Sequence, residues 1–366
     1  MRATRATIHL AALRSNLARV RALAPKSRVM AVVKADGYGH GLERVARALA
    51  DADAFGVASI ADGERIRAVG LGNRIVVLGG IDEARDVGEM RRLALDTVVH
   101  HDSQLELLER APAGAPIRAW LKLDTGMHRL GFAPERAKET HARLRACAAV
   151  DPAIVLMTHF SNSDAFADPV TPAQVQRFLR VARELGGERS LANSAAVLGF
   201  PDAHADWVRV GGLLYGVSVI AGKTGGDIGF APAMTLSTKL IAINRVARGE
   251  RIGYGHAWEC PEDMDVGVAA IGYGDGYPRH AGSGTPVLLV HGRRAPIVGR
   301  VSMDLVTIDL RGHPEARVGD EVVLWGPKLP VEEVAAAAGT IGYELICGMT
   351  RRVAFVEDDA PVAAGA

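Results

Sequence analysis

The stretch that decides the fold is Val29-Met30-Ala31-Val32-Val33-Lys34-Ala35-Asp36-Gly37-Tyr38-Gly39-His40-Gly41. An apolar run stops abruptly at Lys34, a glycine-rich segment follows, and a helical pattern opens at Leu42. Burying an ammonium group is costly unless the group is paired or neutralised. Because burial lowers its pKa, a buried lysine can be a neutral amine that forms a Schiff base with an aldehyde. The alternative is a lysine whose head is solvated at the end of a strand.

Further apolar runs follow this one along the first part of the chain, each separated from the next by a segment of helical length. They lie at residues 54–59, 75–80, 97–100, 117–123, 154–160, 191–194 (a weak run) and 207–210. Continuous apolar strands indicate burial on both faces, as in a parallel sheet. Eight β/α units in about 220 residues predict a (β/α)8 TIM-type barrel. The alternative is a doubly wound open sheet, whose G-x-G-x-x-G signal is absent from this sequence.

The sequence pattern changes near residue 231, where helical periodicity gives way to short strand-like runs. They lie at 240–243, 266–271, 287–290, 297–298, 305–308 and 322–325, and a late helical segment spans 331–338. Clusters of Gly, Pro, Asp and Arg between the runs are typical of hairpins. We therefore predict a barrel over 9–231 and a mostly antiparallel β domain over 232–366, with residues 1–8 a candidate to pack on the second domain.

Composition limits the partners and the compartment. The net charge of +1 argues against nucleic acid and anionic membranes, and the sequence has no apolar run long enough to span a bilayer. Its three cysteines are few, odd in number and widely spread. Together with the lack of a signal-peptide pattern, they predict a cytoplasmic protein without a structural metal site. The tail from residue 360 to 366 is predicted to be disordered.

Polar side chains follow the apolar runs at the ends of the predicted barrel strands. They are Lys34, Lys122, His159, Asn193, Ser194 and Arg209. In a barrel these strand ends form the catalytic face, although any one residue alone could belong to an exposed loop. Gly211 and Gly212 follow the eighth strand, where barrels commonly bind phosphate through backbone N–H groups, and an ordinary turn is the alternative. A lysine beside a phosphate site predicts pyridoxal 5'-phosphate (PLP) as cofactor, with a PLP-free Schiff-base aldolase as the alternative at this point.

Motifs along nearly the whole chain resemble those of the alanine racemases, in the order and spacing of that family. They are residues 33–41, 121–132, 158–160, 193–194, 208–211 with Tyr215-Gly216, 271–277, 299–304 and Tyr343-Glu344. The resemblance implies a PLP-bearing barrel followed by a β domain, L-alanine and D-alanine as substrates, and a head-to-tail homodimer with composite active sites. The enzyme would either supply D-alanine for peptidoglycan or serve alanine catabolism.

The resemblance also implies roles for individual residues. Lys34 carries PLP as a Schiff base and is the base for D-alanine, whereas Tyr273 of the partner subunit is the base for L-alanine, hydrogen-bonded by His159. The remaining cofactor contacts implied are Tyr38, His159, Asn193, Ser194, Gly211, Gly212 and Tyr343, with Arg209 facing the pyridine nitrogen. Arg129 and Met303 contact the substrate carboxylate, and Lys122 is a candidate N6-carboxylysine. The chain departs from the family at Gly212, where isoleucine is common, and at Ser302, where cysteine is common.

Three other functions compete with alanine racemisation. A broad-specificity amino-acid racemase is disfavoured by Lys122 and by the lack of an export signal. A PLP-dependent decarboxylase is disfavoured by Arg209, because the decarboxylases of similar fold are expected to have a carboxylate at the pyridine nitrogen. A non-catalytic PLP-binding protein would have no use for the second domain that carries Tyr273 and Met303.

Overall fold

A computed structural model describes residues 4–289 and 292–361 of the chain. The first strand, β1 (Arg5–His9), pairs with strands of the sheet in the second domain, which is described below. The next eight strands in the described residues close into a parallel barrel. They are β2 (Arg28–Val32), β3 (Ala54–Val57), β4 (Arg74–Val77), β5 (Asp96–Val99), β6 (Ile117–Lys122), β7 (Val150–Met157), β8 (Arg189–Ser190) and β9 (Trp207–Val210).

Helices surround the barrel and leave its interior to apolar side chains. They span Leu10–Leu23, Leu42–Ala48, Ile60–Ala68, Ala84–Arg92, Asp102–Glu109, Ala137–Ala146, Val170–Leu185 and Ser194–Gly199. Inside the barrel, Trp120 and Trp207 pack edge to face with ring centroids 5.4 Å apart. Both side chains are buried, so the barrel is a filled core and ligands must bind at its ends.

The predicted seventh strand was wrong in position. Its observed counterpart, β8, covers only Arg189–Ser190, whereas the predicted residues 191–194 lead into the helix Ser194–Gly199. Asn193 caps that helix, because its side chain accepts a hydrogen bond of 3.0 Å from the backbone N–H of Ala196. The polar pair Asn193-Ser194 is therefore a helix start that lies at the top of the barrel.

The second domain contains a mostly antiparallel sheet. Its further strands are β10 (Met234–Val246), β11 (Arg251–Ile252), β12 (Trp258–Glu259), β13 (Met264–Ala269), β14 (Pro286–Leu288), β15 (Arg294–Val298), β16 (Val306–Asp309), β17 (Glu321–Trp325) and β18 (Ala354–Asp358), and its helices are Val331–Ala337 and Gly342–Cys347. In the larger sheet the order is β13-β16-β15-β14-β17-β10-β1-β18. β1 pairs antiparallel with β10 and parallel with β18, a pairing that was not predicted.

The predicted fold class, a TIM-type barrel followed by a mostly antiparallel β domain, is confirmed. The domain boundaries stay a prediction. Residue 290, the end of one predicted strand, and residues 362–366 of the predicted disordered tail lie outside the described residues. None of the described helices has both the length and the apolar composition needed to cross a membrane.

Candidate active site

A cavity of about 560 Å³ lies at the C-terminal ends of the barrel strands. The structure brings the predicted site residues of the barrel together on its walls, along with one from the second domain. They are Lys34, Tyr38, Lys122, Arg129, His159, Asn193, Ser194, Arg209, Gly211, Gly212 and Tyr343. Tyr343 comes from the helix Gly342–Cys347, so the second domain closes one side of this cavity.

Lys34 reaches the cavity from a turn that winds left-handed directly after β2. Ala35, Asp36 and Tyr38 have φ angles of 53°, 54° and 51°. This conformation costs about 1–2 kcal/mol for each residue that is not glycine. The Asp36 carboxylate supports the turn, because it accepts hydrogen bonds from Leu42 N–H at 3.1 Å and from Arg65 at 2.7 Å. Lys34 is exposed to the cavity, yet partial desolvation of its amine lowers its pKa, and the nearby Arg129 lowers it further.

Two glycines and three hydroxyl groups form an anion cradle beside Lys34. We define this cradle as Tyr38, Ser194, Gly211, Gly212 and Tyr343. A Cβ atom at Gly211 would overlap the Tyr38 hydroxyl and lie 2.9 Å from its Cζ, and a Cβ atom at Gly212 would lie 2.6 Å from Tyr343 Cε1. Gly211 N–H donates to Ser194 Oγ at 3.0 Å, so the serine proton can point into the cavity. Hydroxyl donors around glycine backbone that lines the cavity fit a phosphate group.

Arg209 is a buried cation held by backbone carbonyl groups. It donates to Ser190 O at 2.8 Å and to Thr158 O at 2.5 Å, and only 5% of it is exposed. Burial lowers its pKa to about 10, so it stays charged at neutral pH. Its Nη2 lies 3.4 Å from His159 Nδ1. Because a guanidinium group only donates, Nδ1 must accept, and the proton of His159 is then on Nε2.

His159 is neutral in this environment. Burial, followed by the charges of Arg209, Lys122 and Arg129, lowers its pKa to about 3. A neutral imidazole with its proton on Nε2 is a hydrogen-bond donor on the side away from Arg209. It can therefore stabilise an oxygen anion there without carrying charge itself.

Lys122 and Arg129 add two more cations. Only 8% of Lys122 is exposed, and burial, then Arg209 and Arg129, lower its pKa to about 8. Arg129 sits on a loop that Asp124 closes by accepting the backbone N–H groups of Gly126, Met127 and His128 at 2.9, 3.0 and 3.1 Å. Near neutral pH a larger share of Lys122 than of an ordinary lysine is thus the neutral, nucleophilic amine.

Tyr273 and Met303 lie outside the cavity of their own chain. They are neighbours on the β domain, because Tyr273 N–H donates to Ser302 O at 3.1 Å and Gly274 N–H donates to Met303 O at 2.8 Å. Their exposed fractions are 39% and 52%, high for apolar side chains. The structure brings these two predicted residues together but does not bring them to Lys34 of the same chain.

Sequence reasoning assigned no role to two aromatic side chains under the cradle. Tyr215 stacks on Tyr38 with ring centroids 4.7 Å apart, and its hydroxyl donates to Val32 O at 3.1 Å. His40 packs against Tyr215 with ring centroids 4.8 Å apart. Both belong to the quoted motifs, but which rings touch could not be read from the spacing.

The fold and the cavity define a (β/α)8-barrel enzyme that places a lysine amine next to an anion cradle. The family model of the alanine racemase N-terminal domain matches residues 8–219, and that of the alanine racemase C-terminal domain matches residues 233–357. The chain therefore belongs to the alanine racemase family, and the predicted enzyme class, an amino-acid racemase, is confirmed.

Curated relatives and solved structures with similar sequences match nearly the whole chain. The alanine racemase of Nitrosococcus oceani is 55% identical over 95% of this chain and 97% of its own, and that of Shewanella loihica is 50% identical over 96% and 98%. A crystal structure of the biosynthetic alanine racemase from Pseudomonas aeruginosa superposes with a TM-score of 0.95 at 45% identity, covering 98% of this chain and all of that one. The alanine racemase of Acinetobacter baumannii gives 0.92 at 35% identity, over 98% of this chain and 100% of that one.

Proposed function

We propose that the chain interconverts L-alanine and D-alanine with PLP bound in the cavity and with two bases, Lys34 and Tyr273. The alanine racemase family is known to use PLP. The observation that carries the proposal is the position of Lys34 beside the anion cradle, in a cavity that also contains Arg209. An amine with a lowered pKa next to a phosphate site has the chemistry that PLP requires.

The cofactor contacts follow from the side chains on the cavity walls. Lys34 would bond the PLP aldehyde, and the cradle would hold the phosphate, with Asn193 fixing the position of Ser194. When bound, PLP supplies an electron sink that makes the Cα proton of an attached amino acid acidic. Arg209 would face the pyridine nitrogen. Because a guanidinium group cannot readily give up a proton, Arg209 would leave that nitrogen unprotonated, which would weaken the electron sink and disfavour decarboxylation and transamination.

Racemisation requires a proton to leave one face of Cα and another to arrive on the opposite face. After the amino group of the substrate had replaced Lys34 on the aldehyde carbon, the freed Lys34 amine, whose lowered pKa favours its unprotonated form, would take the proton of D-alanine, and Tyr273 of a second copy would take that of L-alanine. A tyrosine needs help to lose its proton, since its ordinary pKa is about 10. The Nε2–H group of neutral His159 would donate to the Tyr273 oxygen and stabilise the phenolate.

A head-to-tail homodimer would complete the site. Tyr273 and Met303 are exposed side by side on the β domain and lie outside the cavity of their own chain, which is what residues serving a partner's cavity would do. Met303 would then meet the substrate carboxylate together with Arg129 of the other chain. The alternative is a site completed within one chain, after a movement of the β domain.

Co-expression of two inactive variants tests the composite site. In a dimer of Lys34→Ala with Tyr273→Phe, one site contains both variant residues and the other contains Lys34 and Tyr273 intact. Random pairing makes about half of the dimers mixed, with one intact site each, so roughly a quarter of the unmodified activity should return. Recovery of none would contradict the composite site and favour completion within one chain.

We further propose that Lys122 is carbamylated. Its neutral amine would attack CO2, forming an N–C bond and releasing one proton, and the resulting anion would hold the Arg129 guanidinium group. This change replaces repulsion between the buried Lys122 cation and the exposed Arg129 cation by attraction. Mass spectrometry of the intact chain with labelled bicarbonate, compared with Lys122→Gln, would detect the added group, and a bare amine would count against it.

Incubation with L-alanine in deuterium oxide tests the reaction. Formation of D-alanine with deuterium at Cα is the expected result. Turnover of L-serine or L-lysine at the same rate would favour a broad-specificity racemase, and PLP binding without exchange at Cα would favour a non-catalytic PLP-binding protein.

We propose that the enzyme works in the cytoplasm and supplies D-alanine for peptidoglycan. The description of the Pseudomonas relative as biosynthetic supports this proposal. Growth of a deletion strain only with added D-alanine would support this role.

A further inference from the structure

His40 is a fully buried histidine of the first motif that the proposed chemistry does not use. Its exposed fraction is 0%, and its Nδ1 lies 2.8 Å from the backbone carbonyl oxygen of Tyr38. Because a carbonyl oxygen only accepts, Nδ1 carries the proton. Nε2 then has a lone pair and no hydrogen-bond partner among the described residues. Burial lowers the pKa of His40 to about 4, so the ring is neutral at neutral pH.

The Nδ1–H bond acts on a residue in an unfavourable conformation. Tyr38 has a φ angle of 51°, in the left-handed region where a side chain other than glycine is strained. The Tyr38 ring lies on Tyr215, which in turn packs against the His40 ring. His40 therefore fixes the backbone of Tyr38 directly and its ring through Tyr215.

The position of the Tyr38 hydroxyl depends on this arrangement. The hydroxyl lies so close to Gly211 that a Cβ atom there would overlap it. If the bond from His40 were lost, Tyr38 could relax towards right-handed φ angles, and its hydroxyl would move away from the glycine backbone. The buried, unpaired Nε2 atom costs free energy that a carbon atom at that position would avoid. An apolar ring would fill the same space without this cost. The feature that a histidine adds at this position is therefore its Nδ1–H group.

We propose that His40 is a positioning residue that holds the Tyr38 hydroxyl in the anion cradle through its Nδ1–H bond to the Tyr38 carbonyl, and thereby sets the affinity for the phosphate of the cofactor. The inference rests on the proposed binding of PLP at this site. It predicts that changes at His40 act on phosphate recognition and leave proton transfer in the loaded enzyme nearly unchanged.

Variants at His40 separate the N–H group from the ring. In His40→Asn, the side-chain amide can place its N–H where Nδ1 is, whereas His40→Gln places it one bond too far and His40→Phe keeps only the ring. We expect the dissociation constant of PLP to rise about tenfold in His40→Phe and His40→Gln, and to stay within about threefold of the unmodified value in His40→Asn. Equal affinity in His40→Phe and the unmodified chain, or a loss as large in His40→Asn as in His40→Phe, would overturn the proposal.

Two further measurements distinguish positioning from general loss of structure. The affinity for pyridoxal, which lacks the phosphate, should not change in His40→Gln, and in a Tyr38→Phe background the added His40→Gln change should have no further effect on PLP affinity. Additive losses would overturn the proposal in favour of a merely structural role. His204→Phe is the matched control, because His204 Nε2 also bonds a backbone carbonyl, that of Val197 at 3.0 Å, and does not line the cavity.

The same titrations keep the inference separate from the proposed function. Failure of the unmodified chain to bind PLP or to racemise alanine would refute the function itself. A chain that binds PLP and racemises alanine, but whose affinity is indifferent to His40, would refute only the role of His40.

Discussion

Replacing Gly211 by alanine adds a single methyl group at a crowded point of the anion cradle. The new Cβ atom would overlap the Tyr38 hydroxyl and lie 2.9 Å from Tyr38 Cζ, well inside ordinary van der Waals contact. Gly211 also has φ −113° and ψ −94°, outside the main regions that residues with a side chain favour. The substitution therefore strains the backbone and pushes the Tyr38 ring outward at the same time.

The size of the effect follows from the cost of overpacking. An extra methyl group in a closely packed site costs about 1–3 kcal/mol. If most of this cost is relieved by displacing the Tyr38 hydroxyl from the cradle, it appears as a loss of PLP affinity of about 5- to 150-fold. Turnover at saturating PLP should fall less, because neither Lys34 nor Tyr273 moves.

Titration of the cofactor-free chain with PLP, followed by the absorbance of the bound form, measures this loss. Gly72→Ala is the matched control, since a Cβ atom at Gly72 would meet nothing within 4 Å. Its affinity for PLP should equal that of the unmodified chain. If Gly211→Ala bound PLP as tightly as Gly72→Ala does, the description of the cradle as a closely fitted phosphate site would be wrong.

Three further predictions concern the bases and Lys122. Lys34→Ala should abolish both the absorbance of bound PLP and racemisation, and a yellow, active variant would exclude Lys34 as the attachment point. Tyr273→Phe should keep PLP but reduce proton abstraction from L-alanine at least about a hundredfold, a loss that deuterium exchange at Cα measures directly. For Lys122 the folded-state pKa, about 8, lies below the ordinary value of 10.5, so between these pH values the unfolded chain binds more protons and stability rises with pH. In urea unfolding without CO2 this rise should amount to about 1–3 kcal/mol after allowance for screening by solvent, and Lys122→Met should flatten it.

The catalytic face of the barrel could be predicted because burial restricts which residues a barrel strand can contain. Strands covered on both faces must be apolar throughout, and the residue that ends such a run is conspicuous when it is charged. Lys34, Lys122, His159 and Arg209 were identified in this way, and the parallel sheet then places them at one end. The cavity that they share follows from topology, not from any single motif.

Other features depend on contacts that leave no local signal. β1 and β18 pair although they lie at opposite ends of the chain, and a short strand carries no information about so distant a partner. The left-handed conformation of Ala35 and Asp36 contradicts their intrinsic preference and is held by side chains from elsewhere, such as Arg65. The two-residue strand β8 is too short to give a periodic pattern.

The balance of charge in the cavity explains which ligands it can hold. Lys34, Lys122, Arg129 and Arg209 all line it, whereas Asp164 is the single carboxylate among the lining residues that the structure describes. Lys122 and Arg209 are buried and Lys34 and Arg129 are exposed, so repulsion is strongest around the buried pair, and the lowered pKa values of Lys34 and Lys122 are one response to the crowded charges. Anions are the other response: a phosphate in the cradle, a carboxylate at Arg129 and a carbamate on Lys122 would each offset one part of the excess. Amines that lack a carboxylate would leave the exposed Arg129 guanidinium group at the cavity wall without an anion, so under the proposed function the charges that bind the cofactor would also select amino acids as substrates.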